Sequence, residues 1–365
     1  MRSQRKRPFH RFTLLSHAAT GRLRRRERPA QPRLTPEEAR RQAEIEHELL
    51  LARDIQQGLL LEAVPRLPGW EIHAISLPAR DLGGDLYDFL PLGEERHGIM
   101  IGDVSGKGLP AALRMAVART VFRYAARRGA TPGPTLADVN RGIIADIPQG
   151  MITMLYAVLD LRHGIVQVAN AGHHYPLLLN GRVSELELSG LPLGVDDDVD
   201  YEEICADIEP GATVMMYTDG VVEATNSRGE YFGYERLERL LIESATLKPR
   251  ALVARLLHEL RAWSDAGQDD DITVVAVRRR FERLADELYS ILRDVLGDDR
   301  AGQAWETLPR PDDHEGADAW TEALPEIVKA VQSRFGRGLA RELNAQIRLT
   351  LEEYRIMKKY GPMRY

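Results

Sequence analysis

The chain reads as a layered α+β protein, on three observations. Strand-like runs, alternating polar and apolar at Glu71–Leu77 and Tyr201–Ile208 and largely apolar at Ile99–Ile101, Val214–Tyr217 and Ile272–Val277, follow one another along the chain from Trp70. A hairpin signal, Asn180-Gly181, separates two of these runs. The helical patterns come in pairs instead of alternating one for one with strands, which argues against βαβ units and for segregated layers.

The first element is a helix starting at Thr35-Pro36-Glu37-Glu38, a capping box with proline at the first helical position. It is expected to reach about Leu61. Ile45, Leu49, Ala52 and Leu59 form a narrow apolar seam, interrupted by Gln56, which suits packing on its own domain or pairing with a second copy. Strands are expected at 70–77, 86–92, 98–104, 152–161, 164–171, 175–179, 183–188, 201–208, 212–217 and 272–278. Helices are expected at 109–128 and 134–147, then at 234–245 and 249–265. Beyond Arg280 an amphipathic helix over 281–296 precedes an acidic, Gly- and Pro-containing linker over 297–316. Helices over 320–335 and 339–360 follow. The last carries Leu343, Ile347, Leu351 and Tyr354 on one face. No internal repeat is visible.

Bulk composition narrows the class. The 365 residues are 44% hydrophobic and 28% charged, ordinary for a globular protein. A single cysteine, Cys205, excludes an intramolecular disulfide framework and reads as a small strand residue. No apolar run approaches the ~20 residues of a membrane helix, and a cytoplasmic setting is expected. The net charge of −6 conceals an uneven distribution. Residues 1–33 hold eleven Lys or Arg and one Glu, so this arm carries +10 and the rest of the chain −16. Such an arm reads as a disordered tail, as a weak tether to an anionic lipid or nucleic-acid surface, or as an Arg-rich transit peptide.

Four aspartates end or begin apolar runs and sit beside glycine or a further acid: Asp85 after Gly83-Gly84, Asp103 after Gly102, Asp219 before Gly220, and Asp270 between Asp269 and Asp271. A carboxylate where a buried strand meets solvent is costly to desolvate unless a cation or hydrogen bonds compensate it. Four together point to a shared metal. An all-oxygen donor set without clustered Cys or His favours Mg²⁺ or Mn²⁺ over zinc. His173 and His174 are strand neighbours, which point to opposite faces, so loop packing suits them better than a common ion.

Read in order, Gly83-Gly84-Asp85-Leu86-Tyr87-Asp88, Gly102-Asp103-Val104-Ser105-Gly106-Lys107-Gly108, Asn170-Ala171-Gly172-His173-His174, Gly190-Leu191-Pro192-Leu193-Gly194, Tyr217-Thr218-Asp219-Gly220 and Asp270-Asp271-Ile272-Thr273 resemble the SpoIIE/RsbU branch of the metal-dependent, type 2C-like serine/threonine protein phosphatases. The resemblance covers about 70–280, with a helical lead-in from Pro36. It implies a four-layer αββα sandwich of two antiparallel sheets flanked by helices. It divides the chain into a basic arm (1–34), a linker helix (35–62) that the family uses for signalling and that favours a homodimer, a phosphatase domain (63–280) and a C-terminal helical extension (281–365). It also implies two Mn²⁺ or Mg²⁺ ions. Asp103 resembles their bridging ligand and the Val104 carbonyl a further one. Asp219 and Asp270 resemble the acids completing one shell, and Asp85 the acid holding metal-bound water or a weaker ion. Arg80, five residues before Asp85, has the spacing of a phosphate-binding arginine, whose planar fork suits a phosphate; the alternative is a surface loop arginine. The histidine that eukaryotic type 2C enzymes place after the bridging acid is missing here, which leaves the general acid to water, to Lys107 or to nothing. Asp88, Asp269 and Asp271 flank ligand candidates as supporting or solvated acids, Asp271 the better placed.

The expected activity is hydrolysis of phosphoserine or phosphothreonine on a regulatory protein, often a STAS-fold antagonist of an anti-sigma factor. A catalytically silent binding module is the competing reading, and the presence of every candidate ligand argues against it. A nucleotide-directed hydrolase lacks support, because Gly102–Gly108 does not have Walker spacing.

Overall fold

The computed structural model describes residues 35–59, 64–147, 150–245, 247–265, 267–281, 283–312 and 316–360. The basic arm and the predicted end of the first helix at Leu61 lie outside them. Compactness divides the chain into residues 1–45 and 46–365, and the helices beyond Arg280 belong to the second unit. Among the described residues, no helix is long and apolar enough to cross a membrane.

The elements run α1 (Pro36–Leu59), β1 (Trp70–Leu77), β2 (Leu86–Pro91), β3 (Arg96–Val104), α2 (Leu109–Ala126), α3 (Pro132–Asp146), β4 (Ile152–Asp160), β5 (Ile165–Ala171), β6 (Leu177–Leu179), β7 (Val183–Glu185), β8 (Glu203–Asp207) and β9 (Thr213–Tyr217). There follow α4 (Tyr234–Glu243), α5 (Pro249–Trp263), β10 (Ile272–Arg279), α6 (Leu284–Leu296), α7 (Asp298–Trp305), α8 (Ala317–Phe335) and α9 (Arg337–Tyr360). The capping box is formed: the Thr35 hydroxyl accepts from the Glu38 amide at 3.3 Å, and Glu38 accepts from the Thr35 amide at 2.8 Å.

Two five-stranded antiparallel sheets, ordered β1-β10-β9-β6-β7 and β2-β3-β4-β5-β8, lie face to face. Alternation along each strand builds the layers, since successive side chains point to opposite faces. Ile99 and Ile101 of β3, Val214 and Met216 of β9, and Val275 and Val277 of β10 fill the space between the sheets. Met100 and Val104 face the other way, onto Met115 and Phe122 of α2 and Leu136 of α3. Met215, Tyr217, Val274 and Ala276 pack outward against Leu237 and Leu241 of α4 and Leu252 and Leu256 of α5. The result is the expected αββα sandwich.

Three expectations need correction. The strands predicted at 175–179 and 183–188 contract to Leu177–Leu179 and Val183–Glu185, because a short hairpin pairs only a few residues before its ends diverge. The stretch read as a linker over 297–316 contains α7. Gly297, at φ 81°, stops α6 and admits the reversal, and Trp305 then stacks on Trp320 with 6.0 Å between ring centres. Gln56, read as a flaw in the α1 seam, is the one residue buried on that helix: its amide donates to the Gly83 carbonyl at 2.7 Å and accepts from the Gly83 N–H at 3.2 Å. Ile45 of the seam is about half exposed.

The helices α6–α9 bury their apolar faces on one another, with Leu288, Ile291, Leu324, Val331, Leu343, Ile347 and Leu351 at the centre. A buried ionic cluster joins them to the sheet. Arg278 of β10, 2% exposed, meets Glu71 of β1 at 3.2 Å and Glu287 of α6 at 3.4 Å, and donates to the Ser290 hydroxyl at 3.0 Å. Lys248 bridges the same two glutamates at 3.2 and 3.4 Å.

Candidate active site

The four aspartates predicted as ligands come from four places in sequence and meet at one end of the sandwich. Asp85 precedes β2, Asp103 lies one residue from the end of β3, Asp219 opens a 3-10 turn after β9, and Asp270 stands two residues before β10. Close backbone approach makes this convergence possible. A Cβ on Gly84 would lie 2.7 Å from the Val104 carbonyl oxygen, and one on Gly220 would lie 2.0 Å from the Asp271 carbonyl oxygen. Only glycine fits at either position. The Val104 carbonyl is thereby held against the loop that carries Asp85.

Electrostatics show what this gathering costs. Asp85 is 3% exposed; burial first, then the neighbouring Asp103, pushes its carboxyl well above the usual carboxylate range, against hydrogen bonds from Thr273 and Thr218. Burial likewise pushes Asp103 up to about 7, with Asp219, Asp270 and Asp271 adding to the effect. Asp219 is raised by burial and then by Asp270. Like charges drawn together out of water favour proton uptake in each other unless a cation replaces the proton. One cation is already present: the Lys107 ammonium lies 2.8 Å from an Asp270 oxygen and donates to the Asp269 carbonyl at 2.7 Å. Among the described residues no three acids or histidines close around a common point. Carboxylates short of positive charge, with a main-chain carbonyl beside them, are the kind of donors that suit a hard divalent ion.

Residues outside the predicted ligand set hold the acids in place. The Thr218 hydroxyl accepts from the Thr273 amide at 2.9 Å and donates to Asp85 at 2.8 Å, a much shorter contact than its other acceptor, the Thr273 carbonyl at 3.5 Å. Asp271 accepts from the Ala79 amide at 2.7 Å and the Gly84 amide at 2.6 Å, clasping both ends of the Asp85 loop. The anchoring of that loop by Gln56 of α1 is the third support. The Tyr217-Thr218-Asp219 motif contained a hint of the Thr218 role, a hydroxyl beside a candidate ligand. Gln56 carried no local signal.

Other flanking candidates separate. Asp88 is fully buried but faces α2, where Arg123 donates to both its oxygens at 2.7 Å and Arg119 lies at 3.1 Å; it ties helix to sheet and is no part of the acid cluster. The Asp269 side chain accepts from Thr225. Arg80 is exposed on the loop between β1 and Asp85, close enough to Lys107 for the two charges to repel. His173 is buried, shares a 2.8 Å hydrogen bond with Thr153, and has its proton affinity lowered by burial to about pKa 3. It packs the loop as expected. The two histidines stand beyond the end of β5, not on a strand, so they do not face opposite ways: the His174 ring lies 6.1 Å from that of His173 and stacks on Tyr217.

Residues 93–280 match the family model described as Stage II sporulation protein E (SpoIIE). Phosphoserine phosphatase RsbU of Bacillus subtilis is 32% identical over 243 residues, which span 66% of this chain and 72% of that protein. Protein IcfG of Synechocystis is 32% identical over 265 residues, 64% of this chain but only 41% of that longer protein. Among solved structures, the SiaA-PP2C domain of Pseudomonas aeruginosa superposes with a TM-score of 0.60 at 24% identity, covering 67% of this chain and 100% of that one. The RsbU and RsbW domains of Rv1364c from Mycobacterium tuberculosis give 0.54 at 23% identity, covering 76% and 78%. These two structural likenesses speak for the fold.

Proposed function

The chain belongs to the SpoIIE family, in the RsbU-like branch of the metal-dependent serine/threonine phosphatases, and is itself a protein serine/threonine phosphatase; from that premise we propose that it hydrolyses phosphoserine or phosphothreonine on a small regulatory protein, a STAS-type antagonist of an anti-sigma factor. The observation that carries this reading is the meeting of Asp85, Asp103, Asp219 and Asp270 in one partly desolvated cluster, every expected acid present and short of positive charge.

Asp103, Asp219, Asp270 and the Val104 carbonyl would hold Mn²⁺ or Mg²⁺, with Asp85 as a further acid. A pair of such ions supplies an activated water and neutralises charge on the phosphoryl oxygens. The chain's own residues do the positioning. Thr218 fixes one oxygen of Asp85, and Asp271 fixes the backbone on which Asp85 is carried. Lys107 and Arg80 stand at the rim with exposed cationic groups, where an incoming phosphate monoester would meet them. Arg80 offers a planar fork and Lys107 a point charge.

Release of phosphate from an aryl phosphate, and from a phosphorylated regulatory protein, with and without Mn²⁺, tests the reading. Turnover should require the ion. Asp103→Asn and Asp219→Asn should each lower it on the order of 10³-fold or more, since several kcal/mol of transition-state stabilisation is lost. Both variants should stay folded, because each substitution relieves repulsion among buried acids. Near wild-type turnover by either at saturating Mn²⁺ sinks the assignment.

A further inference from the structure

Beside the acid cluster lies a cavity of about 470 Å³ with an aromatic wall made by His174, Tyr175, Tyr217 and Tyr234. The rings are set in place. His174 stacks on Tyr217 at 5.5 Å with 14° between planes, and the Tyr234 hydroxyl bonds its Nδ1 at 3.0 Å. Tyr175 is held through its hydroxyl by Ser189 at 2.9 Å. The cavity adjoins the acids on two sides. Tyr217 stands two residues before Asp219, and buried His173 at the floor bonds Thr153, the cross-strand partner of Asp103.

The charge around this cavity has one sign. Glu185, at the end of β7, is the carboxylate among its lining residues, and no Lys or Arg is among the described residues that line it. Glu185 bears electrostatically on Tyr217, and Glu185, Glu223 and Asp219 all bear on Tyr234, adding to the effect of burial on each phenol. Tyr217 is buried beneath His174, so the accessible rings are those of Tyr234, half exposed, and the partly buried Tyr175 and His174. Aromatic faces present negative charge density to whatever enters, and the exposed Glu185 carboxylate adds a full charge. An anion, the phosphate included, is repelled. A neutral apolar chain would leave Glu185 unneutralised. A guanidinium or ammonium on an aliphatic stem meets both features, its stem on the rings and its charge against Glu185.

We propose that this cavity receives a Lys or Arg side chain close in sequence to the phosphorylated residue, so that the enzyme selects phosphosites flanked by a cation. The proposal rests on the reading of the acid cluster as the phosphatase centre, and it assigns to Glu185, Tyr234 and His174 the choice among phosphoproteins.

The test uses the full chain with Mn²⁺ and a set of phosphoserine peptides, identical except for Arg, Lys, norleucine or Glu placed in turn at each position within three residues of the phosphoserine. One position should show kcat/KM about tenfold higher for Arg or Lys than for norleucine, the size of one cation–aromatic contact with a partly exposed ion pair, carried mainly in KM. Glu should be worst. Glu185→Arg should abolish or invert the preference, and Tyr234→Leu should weaken it; both positions are exposed, so the fold tolerates the changes. Equal rates across the set, a preference for norleucine, or an unchanged preference in both variants overturns the proposal while leaving the phosphatase reading intact. Failure of the wild type to hydrolyse even an aryl phosphate overturns the reading itself, and this inference with it.

Discussion

Single side chains decide how stable this molecule is in acid, and His97 shows the sign. It lies on β3, is 6% exposed, and its Nε2 has no hydrogen-bond partner among the described residues. Burial lowers its pKa to about 4, from the 6.5 ordinary for a histidine. A group depressed in the folded state adds stability above its unfolded pKa and loses it as pH falls toward the folded one. The window here is therefore pH 6.5 down to about 4, and the loss is at most on the order of 3 kcal/mol. Thermal melts at pH 7 and pH 4.5 should show His97→Phe losing clearly less than the wild type over that interval. Equal losses in the two proteins would place the acid sensitivity elsewhere. At this same scale, the four acids that gather at the site were legible in the sequence because glycine and further acids flank them. Asp271 was visible only as a neighbour of Asp270. Its clasp on Ala79 and Gly84, 192 and 187 residues away, is a product of the fold that no local pattern encodes.

Elements carry the next level of argument, and α1 is the instructive case. Its sequence displays a seam, yet the contact that fixes it is polar, the paired amide bonds between Gln56 and Gly83. Gly83 begins the loop that delivers Asp85, so a helix outside the sandwich is mechanically connected to the acid cluster. Gln56→Ala would leave a buried N–H and a buried carbonyl unpaired, at a cost of roughly 1–3 kcal/mol each at most. We expect KM for Mn²⁺ to rise several-fold and the loop amides to exchange faster with deuterium, while Gln56→Glu, which keeps only the acceptor, should fall between. Unchanged metal dependence in Gln56→Ala would make the anchor structural only. Strands such as β3, β9 and β10 could be read in advance because each is a short apolar run, buried on both faces, that ends beside glycine or an acid. Helix α7 could not. It is eight residues long between a glycine and a proline-containing turn, and what stabilises it is the Trp305–Trp320 stack with a partner fifteen residues on.

At the scale of the whole molecule, the question is how the C-terminal helices are joined to the sandwich, and the buried cluster of Arg278, Lys248, Glu71 and Glu287 answers it. Glu287 is fully buried and pairs with Arg278 of β10 and with Lys248 at the start of α5, while Arg278 reaches across to α6 with a second bond to Ser290. Tyr354 of α9 closes the junction by donating to the Phe281 carbonyl at 3.0 Å. Buried ions of this kind contribute little net stability as a set, but removing one partner leaves uncompensated charge that costs about 3–5 kcal/mol. Glu287→Met should therefore lower the melting temperature by several degrees, because Arg278 keeps only Glu71 and a hydroxyl. Arg278→Met alone should be comparably harmful. The double variant should recover much of the loss, since Lys248 and Glu71 still pair and two apolar chains now fill the junction. If the double variant is as unstable as the sum of the singles, the junction is held by shape and not by charge. In either case a cut after Arg280 strips Arg278 of its α6 partners, Glu287 and Ser290. Such a truncated chain should melt at a lower temperature than the full one, and an unchanged melt would show that the helices add nothing to the sandwich's stability; β10, which carries Arg278, begins two residues after Asp270.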